Sequence, residues 1–90
     1  MSDRSRFVVG LLEEGLARVD LALERHGRGE PEDLSVGILT SVRRDLQKMQ
    51  VALDPATYCS AYPRFVLDWP NEHGLIDLLV HVHAEYDKLK

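Results

Sequence analysis

His73, Asp77, His81 and Glu85 recur at intervals of four, a spacing that sets all of them along one side of a helix. Paired histidines at that spacing can share a metal ion, with a neighbouring carboxylate as a further ligand. The stripe stands opposite Leu75, Leu79, Val82 and Tyr86, however, so it faces solvent, where such residues form ordinary helical side-chain pairs. No cysteine cluster or second histidine motif supplies the remaining ligands. The expected reading is that no metal and no other cofactor is bound. His83 flanks the apolar stripe instead, and a partly buried imidazole must find a hydrogen-bond partner. Its expected role is structural.

The nucleophiles are as sparse. Cys59 is the single cysteine, with no histidine near it in sequence, which leaves His26 and His83 as its spatial candidates. A lone thiol in an apolar, aromatic stretch reads as a buried small hydrophobe. Ser60 lacks the strand–turn–helix context of a nucleophile elbow. The run "GRGEP" has glycines, but no strand precedes it and no lysine follows at phosphate-loop spacing. Glu13 and Glu14 are adjacent on a helix and point apart. Three short helices also enclose little volume for a pocket. The chain is expected to be non-catalytic.

Charge narrows the partners. The formal net charge is −4, and the one basic cluster, Arg43, Arg44 and Lys48, is interrupted by Asp45. A phosphate-contacting face needs several cations with little opposing charge, so this cluster reads as a solvated mixed face and nucleic acid is not expected. A single cysteine rules out an internal disulfide and gives no support to an oxidising compartment. The N-terminal apolar run is broken by Glu13 and Glu14 before it could serve as a secretory h-region. No stretch approaches the ~18 apolar residues of a membrane helix. A cytoplasmic protein without membrane contact is the expectation.

Ninety residues suit one domain with one modest core. Three helical patterns must build it. The first runs from about Arg4 to His26 with Val8, Leu12, Gly15, Leu16, Val19 and Leu23 on one face, and Gly27 and Gly29 end it. The second is expected to begin at Pro31, with Glu32 and Asp33 in its first turn. Ile38, Leu39, Val42, Leu46, Met49 and Leu53 form its stripe, and Asp54-Pro55 stops it. Asp54 and Pro55 can also cap and open a new short helix. The third main helix is expected from near Asn71 to the C-terminus, with Leu75, Leu78, Leu79, Val82, Tyr86 and Leu89 inward. No period of two long enough for a strand occurs. The fold class is all-α: a three-helix bundle whose crossover before the last helix is irregular, aromatic and proline-containing.

That crossover, "DPATYCSAYPRFVLDWP", holds Tyr58, Tyr62, Phe65 and Trp69 among its residues. Its prolines forbid one continuous helix. Phe65 and Trp69, four apart, could face the core together, and Asp68 could cap the following turn or pair with Arg64. Holding the fold is the first role expected of these rings, since buried aromatics contribute large hydrophobic area. A partner-binding patch of Tyr58, Tyr62, Arg64 and Trp69 is the second, because Tyr, Trp and Arg dominate interface hot spots. Phe7, Leu11, Leu21, Val36 and Val51 remain outside the core stripes. They read as scattered exposed apolar residues, or Phe7, Leu11 and Leu21 with Arg18 form a candidate homodimer face.

The run "YPRFVLDWP", followed after "NEHG" by "LIDLLVHVHAEYDKLK", resembles the C-terminal half of a group of small bacterial proteins. Their ends read aromatic-Pro-Arg-aromatic-aliphatic, then Asp with a nearby Trp, then a helix ending Tyr-x-Lys-Leu. The matching residues here are Tyr62, Pro63, Arg64, Phe65, Val66, Asp68, Trp69 and Tyr86 to Leu89. The likeness covers residues 54–90, and this chain joins Asp68 directly to Trp69 and follows it with Pro70. Some of those proteins are similar to immunity partners of secreted bacterial toxins. The resemblance therefore implies a protein that binds and occludes another, here through an acidic, aromatic-bearing face set against a basic cleft. A homodimeric adaptor is the alternative.

Overall fold

The computed structural model describes residues 3–30, 34–60, 62–66 and 74–89, the side chain of Phe65 excepted. It is an all-α bundle of three main helices, with one short helix in the crossover: α1 (Asp3–Gly27), α2 (Val36–Ala52), α3 (Pro63–Val66) and α4 (Leu75–Asp87). No strand occurs among the described residues. None of the helices described is long and apolar enough to cross a membrane.

Both α2 and α4 pack on α1, and α3 packs on α4. The buried face of α1 is Val8, Leu11, Leu12, Gly15, Val19 and Ala22, at the three- and four-residue spacing of one helical stripe. Leu16 and Leu23, expected inside, border the core half-buried, while Leu11 and Ala22 lie within it. The stripe is thus turned by a fraction of a residue because α1 serves two neighbours at once. Gly15 marks their meeting point. A Cβ there would sit 3.5 Å from Leu46 Cδ1 of α2 and 3.7 Å from Val82 Cγ2 of α4.

Helix α2 starts at Val36 and not at Pro31. Ser35 supplies the cap: its hydroxyl accepts from the Ile38 N–H at 3.3 Å. Leu34 before the cap and Leu39 within the first turn and a half are both buried, the two positions of a hydrophobic staple. His26 closes the connection by bonding the Leu34 carbonyl through Nε2 at 2.7 Å. Residues 31–33, where the earlier start was expected, lie outside the described residues. At the other end Leu53 takes a left-handed conformation (φ 47°) and its N–H returns to the Met49 carbonyl. The half-buried Leu53 side chain packs against the core, which offsets the strain of that conformation in a non-glycine residue.

Asp54 then caps a single turn in place of a new helix. Its carboxylate accepts from the Ala56 N–H and the Thr57 hydroxyl, each at 2.9 Å. These bonds, the Ala56 N–H first, hold its pKa below the usual carboxylate value. Helix α4 begins at Leu75 behind Gly74; Asn71, where its start was expected, lies outside the described residues. It buries Leu75, Ile76, Leu79, Val82 and Tyr86.

Candidate functional site

Asp45 is the residue that organises the site, and its position in α2 explains why. It lies three residues after Val42 and four before Met49, inside the arc that faces the core, and is 5% exposed. The expectation that it interrupts a solvated basic face is therefore corrected. A buried carboxylate needs donors. The Tyr58 hydroxyl donates to its Oδ1, and the Tyr62 backbone N–H donates to its Oδ2 at 3.0 Å.

These two bonds belong to a larger set that fastens residues 58, 60 and 62 between α2 and α4. The Tyr86 hydroxyl of α4 donates to the Tyr58 carbonyl at 2.6 Å. Ser60 Oγ and His83 Nδ1 share a hydrogen bond, so His83 has the structural partner expected of it. The Tyr62 hydroxyl donates to the Leu79 carbonyl at 2.5 Å. Residues 58, 60 and 62 thus each reach a flanking helix. No buried side-chain nitrogen or oxygen is left without a partner among the described residues.

Burial raises the tyrosine pKa values. Tyr58 is pushed up to about 12, first by burial, then by its hydrogen bond to Asp45 and by that carboxylate's charge. Burial is also the main cause of the upward shifts of Tyr62 and Tyr86. A folded-state pKa above the ordinary 10.0 means that the fold favours the protonated phenol. This contribution to stability is complete below pH 10 and is lost as pH rises from 10 towards 12. In urea titrations the unfolding midpoint should hold steady up to pH 10 and fall beyond it. Tyr58→Phe should make that fall shallower; an equally steep fall in the variant would place the titrating groups elsewhere.

On the solvent side of Tyr58 lies an open groove of about 780 Å³. One wall is the outer face of α2, with Arg44, Gln47, Lys48, Val51 and Ala52; the other is the turn bearing Thr57 and Tyr58. Val51 is 87% exposed, the most open of the large apolar side chains described. Lys48 Nζ stands 5.8 Å from the centre of the Tyr58 ring, within reach of a cation–π attraction. Tyr58 therefore has two sides: its hydroxyl is fixed from within by Asp45, and its ring helps to form the groove.

The partner-binding candidates separate accordingly. Tyr58 is half-buried in the groove wall, whereas Tyr62 is 1% exposed and belongs to the core, which corrects its assignment to a surface patch. Its ring is enclosed because its N–H and hydroxyl are drawn to Asp45 and Leu79 on opposite helices. Arg64 is exposed on α3, apart from the residues lining the groove. Trp69 and Asp68 lie outside the described residues. The aromatic face expected to be acidic is instead rimmed by Arg44 and Lys48.

The candidate dimer face is also divided. Phe7 is 52% and Leu21 39% exposed, but Leu11 between them is buried in the core. Arg18 is half-buried. Fourteen residues of helix, about 21 Å, separate the two exposed side chains. Phe7 packs edge-on against His81 of α4, with ring centres 6.3 Å apart.

Asp77 and His81 are exposed, and Glu85 pairs with Lys88 at 3.3 Å. His73 lies outside the described residues. Among the described residues no group of three or more His, Cys, Asp or Glu side chains could hold a metal ion. Cys59 is exposed, contrary to the expected buried thiol, with its Sγ 3.0 Å from the Pro55 carbonyl. Set against known protein families, curated proteins and solved structures, the chain finds no match.

Proposed function

We propose that this chain is a non-catalytic binding protein that docks another protein on the outer face of α2 and the turn after it. The groove itself carries this reading. A mostly exposed Val51, an arginine, and a tyrosine ring held rigid from behind combine there, and such residues supply the anchors of protein interfaces. Rigidity matters because a side chain already ordered loses less entropy on binding. Tyr58 is ordered by Asp45 and by the Tyr86 bond to its own carbonyl.

The concrete form is occlusion. A cytoplasmic bacterial immunity protein that covers the working surface of a toxin fits both the resemblance of residues 54–90 and a surface built to bind. Self-association through Phe7 is a weaker reading, since the burial of Leu11 removes the middle of that face.

Tagged protein incubated with lysate of the source organism should capture one stoichiometric partner, identified by mass spectrometry. Val51→Asp should abolish the capture while leaving the helical circular dichroism and unfolding midpoint intact, because Val51 is largely in solvent. Capture that persists with Val51→Asp would move the docking face away from the groove. A concentration-dependent dimer with no captured partner would favour self-association.

A further inference from the structure

Resting on the groove as the docking face, we infer that its occupant is an acidic amphipathic helix of the partner protein. Arg44, Gln47, Lys48 and Val51 stand at i, i+3, i+4 and i+7, so they form one ridge along the outer face of α2. The ridge runs for about 10 Å, two turns of helix. Thr57 and Tyr58 form the opposite bank. A trough parallel to a helix ridge, with apolar side chains beside it, is the setting into which a second helix lays its apolar face. No strand edge is present among the described residues to recruit an extended segment instead.

Charge gives the occupant its sign. Arg44 and Lys48 are both exposed, and no carboxylate lines the groove among the described residues. Two nearby acids are turned to other tasks. Asp45 is buried against Tyr58 and Tyr62, and Asp54 is engaged by its own turn. A chain of net charge −4 thus presents a locally cationic groove. Four residues of α2 place the two cations about 6 Å apart along the axis. Two carboxylates four residues apart on the facing helix match that interval. Apolar side chains between them would cover Val51 and the Tyr58 ring. The opposed charges fix register and hasten encounter, and the apolar contact slows release.

A displayed library of helical peptides of about sixteen residues, long enough for roughly 24 Å of helix, provides the test. Selection on the intact chain should enrich acids four residues apart beside apolar positions. A synthetic peptide of the most enriched sequence should bind the Arg44→Glu/Lys48→Glu variant at least tenfold more weakly. Binding to that variant should return when the two acids of the peptide become lysines. Circular dichroism of the variant should match the parent, since both altered side chains are exposed. Enrichment of neutral helices whose binding needs Val51 but ignores the double variant would overturn the acidic occupant and leave the docking face standing. Clones indifferent to Val51→Asp and to the double variant, or no enrichment at all, would overturn the inference. The docking face itself would then be judged by the capture experiment.

Discussion

Asp45→Ala should lower the unfolding free energy by about 3 kcal/mol, a large share of the stability expected for a chain of this size. The substitution removes the acceptor of the Tyr58 hydroxyl and of the buried Tyr62 N–H, and the latter is enclosed away from water. Bonds to a charged acceptor contribute more than neutral ones, and an unsatisfied buried donor adds its own desolvation penalty. Asp45→Asn keeps one oxygen acceptor and should lose roughly half as much. Asp20, by contrast, pairs with Arg43 at 2.7 Å where both side chains are about half exposed. Asp20→Ala should therefore shift stability by about 1 kcal/mol or less. Urea unfolding of the three variants checks the order. A change at Asp45 no larger than that at Asp20 would show that the crossover is not fastened by this carboxylate.

Tyr62→Ala should be the most damaging single change in the crossover, at about 4 kcal/mol. The ring is enclosed among core residues, so truncation leaves a cavity beside α4 as well as removing apolar burial. Tyr62→Phe keeps the ring and loses only the hydroxyl bond to Leu79, with an expected loss of about 1 kcal/mol. An interior helix carbonyl such as that of Leu79 retains its bond to the N–H four residues on. A partner that fails to bind Tyr62→Ala would accordingly report unfolding and not a lost contact. Tyr62→Phe should bind as the parent does. If the alanine variant unfolds at the parent's denaturant midpoint, the ring is not part of the core.

Most of the fold was legible because amphipathic periodicity is a local signal and three helices suffice to bury it. The stripes of α2 and α4 could be read directly, as could the exposed Phe7, Leu21, Val36 and Val51. Helix starts were harder to place. Pro31 with its acidic neighbours is the louder local start signal, yet Ser35 carries the capping bond and Leu34 and Leu39 complete the staple. Leu11 reads as lying beside the stripe, but α1 packs on two helices at once and its buried face is turned towards Leu11 and Ala22.

The candidate site was less legible. Asp45 looks like one charge among Arg43, Arg44 and Lys48 until its register against Val42 and Met49 is weighed. Its angular position was the available signal, and its chemical type hid it. The separate roles of Tyr58 and Tyr62 depend on bonds to one residue, Asp45, which lies 13 and 17 positions before them, a relation that local sequence does not carry. The groove needs two elements side by side, α2 and the turn capped by Asp54, so Val51 read as a stray apolar residue.

Methyl NMR of the chain bound to its captured partner tests the central claim most directly, because Val51 and Leu21 are exposed methyl-bearing residues on different helices. The account predicts that the Val51 methyls shift and show intermolecular contacts while those of Leu21 keep their free positions. Perturbation at Leu21 with Val51 unchanged would contradict it and assign binding to the outer face of α1.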